Sequence, residues 1–208
     1  MIHINEHASF EKYAIFTDAI CRFSDGIYAH GASAELQKAF LDSFSRGQMD
    51  SKKMVLKILA DHGQQFKTAV FVGQWNGLLP YLLHVEKYVE SAIGIERSEL
   101  WSMISKRVNR DWDWKSVTGD ACDSISWEGK NPEIVVNTAA EHMSDHWLQF
   151  VKANTFILVQ STNYQIEEHV NRVESLDELT ARLKLNRVIK TAEQEFKMYK
   201  RFTVFGQK

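Results

Sequence analysis

The chain has 208 residues, 44% of them hydrophobic and 25% charged, with a formal net charge of −2. This length suits one globular domain of ordinary size, and the composition excludes long disorder. The near-neutral balance offers no global field for nucleic acid and leaves room only for a local basic patch.

Two cysteines, Cys21 and Cys122, lie far apart and form no CxxC. They are expected to be buried free thiols rather than a disulfide, because a chain of this size needs no staple. The opening MIHINEHASFEKY lacks the basic-then-apolar pattern of a signal peptide. No apolar run reaches the ~18 residues of a membrane span. A soluble, cytoplasmic protein without membrane partners is expected. Nothing in the pattern sets an oligomeric state.

Residues 1–65 are expected to be helical. Phe10, Tyr13, Ala14, Ile15, Phe16, Ala19, Ile20 and Phe23 recur at helical spacing, and Gly26 and Gly31 break the pattern. A second helix is predicted over 34–44. A third is predicted over 52–61, capped by Ser51 and stopped by Gly63.

From Thr68 onward the period changes. TAVFVG predicts a strand, and 78–88 a helix. SAIGIE predicts a second strand, and 99–109 a helix. KSVTGDA, PEIVVNT and TFILVQST predict three further strands, with a short helix over 145–152 and another over 176–185. EFKMYKRFTVFGQ supplies one or two closing strands. The predicted fold class is therefore α/β, a doubly wound, mainly parallel Rossmann-like sheet of about seven strands with the last one antiparallel. The domain expectation is a helical cap over 1–65 and a ligand-binding domain over 66–208.

Right-handed crossovers bring the carboxyl ends of parallel strands to one edge, where ligands bind. The residues after each strand are thus the candidates. Gly73, Gln74, Trp75, Asn76 and Gly77 follow the first strand. Glycines there permit a tight turn and close backbone approach, and Trp75 is placed to line a pocket. Glu96 follows the second strand, where a carboxylate suits a ribose diol; the plain alternative is a surface pair with Arg97. Asp120 and Ala121 follow the third strand, where a carboxylate and an N–H suit an adenine edge, or simply cap a turn.

Asn137, Glu141 and His142 follow the fourth strand, and Glu141 and His142 are candidate base or orienting groups. The pattern E-H-x-x-x-H through His146 offers two or three ligands from one turn, so no metal is expected. After the fifth strand, Gln160, Asn163, His169 and Asn171 are candidates for the substrate side. His169 is also a catalytic candidate, and Lys52 reaches the cleft if the third helix lies over it.

These segments carry a resemblance. VFVGQWNGLLP, IGIE, TGDACD and IVVNTAAEHM are similar, in order, to the glycine loop, acidic second-strand end, adenine-contacting segment and post-fourth-strand motif of class I methyltransferases. The similarity spans about 67–206. SKK, G-x-W-x-G, N-T-x-x-E-H-M, L-V-Q-S-x-N, E-H-V-N and Y-x-R-F together resemble a short phage and bacterial group of that fold. The family loop is richer in glycine, and Gln74, Trp75 and Asn76 depart from it.

The resemblance implies S-adenosylmethionine as cofactor, held by Gly73, Gln74, Trp75, Gly77, Glu96, Asp120, Ala121 and Asn137. It further implies methyl transfer to a small molecule, with the N-terminal helices as a lid. Three alternatives stand beside it: use of the aminobutyrate arm, a nucleic-acid methyltransferase using Lys52, Lys53, Arg107, Arg110, Arg172, Lys200 and Arg201, and a non-catalytic binding module.

Overall fold

The computed structural model describes residues 6–208, and side chains from residue 14 onward. The side chains of Phe10 and Tyr13 lie outside the described residues. Six helices and seven strands follow one another: α1 (Glu6–Ala29), α2 (Ala34–Ser43), α3 (Arg46–His62), β1 (Phe66–Val72), α4 (Leu78–Val85), β2 (Val89–Glu96), α5 (Glu99–Val108), β3 (Trp114–Thr118), β4 (Ile134–Asn137), β5 (Phe156–Thr162), α6 (Leu176–Leu183), β6 (Arg187–Glu195) and β7 (Lys200–Gln207). Short 3-10 turns occupy Ser124–Trp127, Ala140–His142 and Asp145–Phe150.

The strands form one sheet in the order β3-β2-β1-β4-β5-β7-β6. β1 to β5 pair in parallel, and β7 runs antiparallel between β5 and β6. The strand order reverses beside β1, whose other neighbour is β4, so a topological switch point opens there. The expected fold class is therefore observed.

Side chains alternate across β1 as a two-residue period requires. Val70 and Val72 enter a core with Val135, Ile157, Val159, Leu179, Leu183 and Trp147 under α6. Ala69 and Phe71 enter the opposite core, with Val55, Ile58 and Leu59 of α3 and Leu79 and Leu83 of α4. A third cluster joins Ala19, Phe23, Ile27 and Leu36 to Leu78, Tyr81, Leu82, Ile104 and Val108.

The first helices thus belong to the packed body. α3 packs directly on the sheet, and α1 and α2 pack against α4 and α5. Polar contacts reinforce that packing. Asp18 accepts from Tyr81, and Arg22 pairs with Asp18 at 2.5 Å and Asp111 at 2.7 Å. Burial and the neighbouring Asp18 push the Tyr81 phenol up to about 12.

Several local expectations are corrected. Gly26 does not end α1; the helix runs on, and a Cβ there would meet Ile104 Cγ2 at 3.2 Å, so glycine allows α1 to approach α5 closely. Ser51 is not an N-cap. Ser45 caps α3, accepting from the Gln48 N–H, while Gly63 does end it in the left-handed region. The 145–152 helix is a 3-10 turn. The closing pair begins at Arg187, because β6 is a largely exposed edge strand without a hydrophobic run. Both cysteines are free as expected, but Cys21 is exposed.

Ser51 instead serves the core. Its hydroxyl donates to Gln160 Oε1 at 2.6 Å, and Gln160 Nε2 donates to Ser51 O at 3.2 Å and Thr203 Oγ1 at 3.0 Å. This fully satisfied amide joins α3, β5 and β7. Ser51→Ala leaves a buried acceptor short of a donor and is expected to cost about 1–3 kcal/mol. Urea unfolding checks this: the midpoint falls while the slope of free energy against urea holds.

Candidate functional site

The carboxyl ends of β1, β2 and β3 are stitched side by side. Gly73 N donates to Ile95 O at 2.9 Å, and Gly119 N donates to Glu96 O at 2.9 Å. Glu96 then turns its carboxylate across the gap. Oε2 accepts the Trp75 N–H at 2.9 Å, and Oε1 accepts the Ser98 N–H at 3.0 Å. One carboxylate therefore fixes the loop after β1 and the start of α5. It remains partly exposed, and each oxygen keeps a lone pair for a further donor. Arg97 is exposed and, among the described residues, has no ion pair to Glu96.

The loop after β1 owes its shape to left-handed backbone at Gly73 (φ 62°), Trp75 (φ 49°) and Gly77 (φ 78°). A Cβ at Gly77 would meet Asn109 Nδ2 at 2.5 Å, and Asn109 Nδ2 donates to Gly77 O at 3.0 Å. A Cβ at Gly73 would meet Met143 Cε at 3.0 Å, so this loop abuts the one after β4. Trp75 packs edge-on against Trp101, with centroids 5.7 Å apart, and stays partly exposed at the rim.

Two residues of this loop turn inward. Gln74 is buried, fills the space above Gly94 and donates to Ser116 Oγ at 2.6 Å. Its side chain thus buttresses the loop against β2 and β3 instead of opening to solvent. Asn76 donates to Ser43 Oγ at 2.6 Å and accepts from Leu78 N at 2.9 Å, tying α2 to the start of α4. Apart from Gln74 Oε1, which has no partner, the side-chain polar groups of both residues are engaged within the protein.

After β3, Asp120 Oδ1 accepts from Cys122 N at 2.8 Å and the residue stays partly exposed. Ala121 is buried, and its carbonyl is taken by Trp127 Nε1 at 2.8 Å. Gly73, Trp75, Glu96 and Asp120 thus line adjacent positions of one edge. Two cavities, of about 400 and 300 Å³, lie elsewhere, beside α3 and β6 and near the starts of β1 and β2.

The second half of the site is bound by its own hydrogen bonds. Asn137 is fully buried, accepts from Ala139 N at 2.9 Å and directs Nδ2 at Met143 Sδ, 3.5 Å away. It shapes the loop after β4 rather than presenting its side chain to a ligand. Asn171 is likewise a clasp: Nδ2 donates to Met143 O at 2.7 Å and Asp145 Oδ1 at 3.0 Å, and its N–H donates to Glu141 O at 2.9 Å. Arg182 completes the clasp, with Nε at 2.9 Å and Nη2 at 2.8 Å from Asp145 Oδ2. Asn163 accepts from Lys200 N at 2.7 Å and closes the β5–β7 junction. Gln160, fully buried, is the core amide described above. The substrate-side expectation for Gln160 is therefore corrected, since it is fully buried, while Asn163 and Asn171 are partly exposed and engaged in these bonds.

Three residues remain together. Glu141, His142 and His169 place one nitrogen or oxygen each within 4.8 Å of one another. Arg201, buried at 8% exposure, approaches Glu141 Oε1 at 3.7 Å through Nη2 and Ser51 Oγ at 3.4 Å through Nη1. The signal in KRFTVFG is its place at the head of an apolar run, and Arg201 is the first of the six buried residues 201–206 of β7. Lys52 is also buried and donates to Gln48 O and Oε1 at 3.4 and 3.1 Å. Burial, helped by the Arg201 charge, pulls its ammonium down to about 7. With Lys52 and Arg201 buried, Lys200 paired to Glu193 and Arg172 paired to Glu174, the suggested basic surface is dispersed.

No protein-family model matches the chain, and no curated protein matches it in sequence. Solved structures match in fold. The N-methyltransferase NodS from Bradyrhizobium japonicum WM9 gives a TM-score of 0.59 at 8% identity, over 79% of this chain and 98% of that one. A mutant of MtNAS in complex with S-adenosylmethionine gives 0.57 at 17% identity, over 92% and 73%. A chain of the complex between the Haloferax volcanii Trm112 methyltransferase activator and the putative methyltransferase gives 0.60 at 14% identity, over 79% and 92%. These similarities show a Rossmann-like fold of the methyltransferase type. Among the described residues, no helix is long and apolar enough to cross a membrane.

The shifted Lys52 amine makes stability depend on pH. The unfolded amine titrates near 10.5 and the folded one near 7, so between those values the unfolded chain binds more protons. Stability then rises with pH across that window, by at most about 1.4 kcal/mol per pH unit from this group. Lys52→Met is expected to flatten the rise, which urea unfolding of both proteins at about pH 7 and about pH 9 measures.

Proposed function

We propose that the protein is an S-adenosylmethionine-dependent methyltransferase acting on a small molecule. The observation that carries this reading is the Glu96 carboxylate, held at the end of β2 beside the left-handed Gly73–Gly77 turn. In this fold a nucleoside lies across the switch point, over the loop after β1. Glu96 Oε1 and Oε2 are available to the two ribose hydroxyls, and Asp120 to the adenine amine. Trp75 and Trp101 give the rim an apolar wall. The comparison with MtNAS in complex with S-adenosylmethionine supports the choice of cofactor on grounds of fold.

The methyl group of S-adenosylmethionine is already activated on a positive sulfur. Transfer is an in-line displacement in which the acceptor must stand about 3–3.5 Å away and aligned. The residues after β4 and β5, tied by Asn171 and Arg182, form the acceptor side, with Glu141, His142 and His169 facing it. A hydroxyl acceptor must lose a proton, and Glu141, His142 and His169 stand on the side where that proton is lost. The dispersed cationic residues and the net charge of −2 favour a small acceptor over nucleic acid.

A second reading, use of the aminobutyrate arm, draws on the neighbour MtNAS in complex with MTA and tNA, at a TM-score of 0.56 and 16% identity. Product analysis separates the two, since methyl transfer leaves S-adenosylhomocysteine and the alternative leaves methylthioadenosine.

Calorimetric titration is expected to show binding of S-adenosylmethionine and S-adenosylhomocysteine. Glu96→Ala is expected to weaken both by roughly tenfold or more, since it removes charged hydrogen bonds of about 1.5–3 kcal/mol each. Glu90→Ala, on the exposed start of β2, is expected to bind as the parent does. Absence of binding by the parent chain contradicts the proposal.

A further inference from the structure

We infer that Glu141, His142 and His169 form a binding site for one divalent transition-metal ion. The sequence pattern argues against a metal because E-H-x-x-x-H on a single turn supplies too few ligands. The structure replaces His146 with His169, which comes from the segment after β5. His146 turns away, with Nδ1 3.2 Å from Ser144 Oγ.

The first support is a buried carboxylate oxygen without a partner. Glu141 is 2% exposed, and its Oε2 has no hydrogen-bond partner. Its Oε1 faces Arg201 at 3.7 Å, beyond a normal hydrogen bond. An orphaned carboxylate oxygen at this depth costs free energy unless a cation or donor reaches it.

The second support is the orientation of both imidazoles. His142 Nδ1 lies 3.1 Å from Glu168 O, and His169 Nδ1 lies 2.7 Å from Tyr164 O. A backbone carbonyl only accepts, so Nδ1 is the donor in each ring and Nε2 is the ring nitrogen not engaged by these bonds. A hydrogen bond from the far ring nitrogen to a carbonyl is the arrangement that orients metal-ligating histidines. The rings meet edge to face, with centroids 4.7 Å apart at 84°.

The third support is that the backbone is already clipped. Asn171 N donates to Glu141 O at 2.9 Å, and Asn171 Nδ2 donates to Met143 O at 2.7 Å, so the two ligand-bearing segments are joined on either side of the site. Bonds of about 2.0–2.2 Å require ligand atoms about 3–3.5 Å apart. The 4.8 Å envelope must therefore close by about 1 Å. The exposed His142 and half-buried His169 have room to do so.

Two imidazoles and one carboxylate suit zinc, iron(II), manganese or nickel better than magnesium, which prefers oxygen. Three protein ligands leave a position open on the solvent side. On the methyltransferase reading, that position takes a hydroxyl-bearing acceptor and lowers its pKa. The proton leaves to solvent. The alkoxide oxygen then bonds to the methyl carbon as the carbon–sulfur bond breaks, and that electron pair returns to sulfur.

The test is titration calorimetry of zinc chloride into full-length protein that has been stripped with EDTA and desalted. A cobalt(II) absorption spectrum serves as a second readout. One ion per chain is expected. His142→Gln and His169→Gln, both at accessible positions, are expected to keep the parent far-ultraviolet circular dichroism. Each should weaken zinc by at least the roughly 10–100-fold that even an outer-shell change costs. His146→Gln is expected to bind as the parent does. No bound ion, or His142→Gln and His169→Gln titrating like the parent, overturns the site. S-adenosylmethionine titrated into the same stripped protein reports separately on the cofactor reading.

Discussion

A single carboxylate governs the geometry of the candidate site. Glu96 ends β2, yet its two oxygens hold backbone N–H groups of the loop after β1 and of the start of α5. Without it, the left-handed Trp75 backbone and the α5 start would have to find other acceptors. With it, Gly73, Trp75 and Asp120 are kept along one edge, and the same oxygens stay partly open to solvent. The parallel sheet makes this arrangement available, because β1, β2 and β3 all end on that side. The carboxylate then decides how the loops above the edge are disposed.

The other half of the edge follows a different logic. There the loops after β4 and β5 carry their own polar skeleton, in which Asn171 and Arg182 both donate to Asp145, while Asn137 shapes the loop after β4 through Ala139 N and Met143 Sδ. Below it, Gln160, Ser51 and Thr203 form a closed amide network. Glu141 stands between these networks and belongs fully to neither. One of its oxygens sits at long range from Arg201 and the other has no partner. Glu141 Oε2 is a buried acceptor without a partner, as is the donor Arg201 Nε of the residue facing it, and this draws the chemical interest to Glu141 and the two imidazoles beside it.

Much of the fold was legible from periodicity. Apolar runs such as TAVFVG and TFILVQST stand in a doubly covered sheet, and their burial on both faces leaves an unbroken hydrophobic signature. The positions of Glu96 and of the loop with its two glycines were legible because each stands where an apolar strand run stops. β6 was not, since an edge strand open to water has no such signature. The roles of Gln74, Asn137, Gln160, Asn163 and Asn171 were also hidden. A polar residue after a strand looks the same in sequence whether it faces a ligand or a neighbouring loop. Partners such as Ser116, Ser51 and Met143 lie 42, 109 and 28 residues away along the chain, or six for Asn137. Likewise, His169 could not be joined to Glu141 without knowing that Asn171 clips the two segments together.

On the proposed reading, Glu96 binds the nucleoside of the cofactor, and a crystal structure of the protein with S-adenosylhomocysteine is the test. Both ribose hydroxyls are expected to donate to the Glu96 oxygens, with the Trp75 and Ser98 N–H bonds retained and the adenine edge beside Asp120. A nucleoside seated anywhere else, or a ribose that leaves Glu96 untouched, would contradict it.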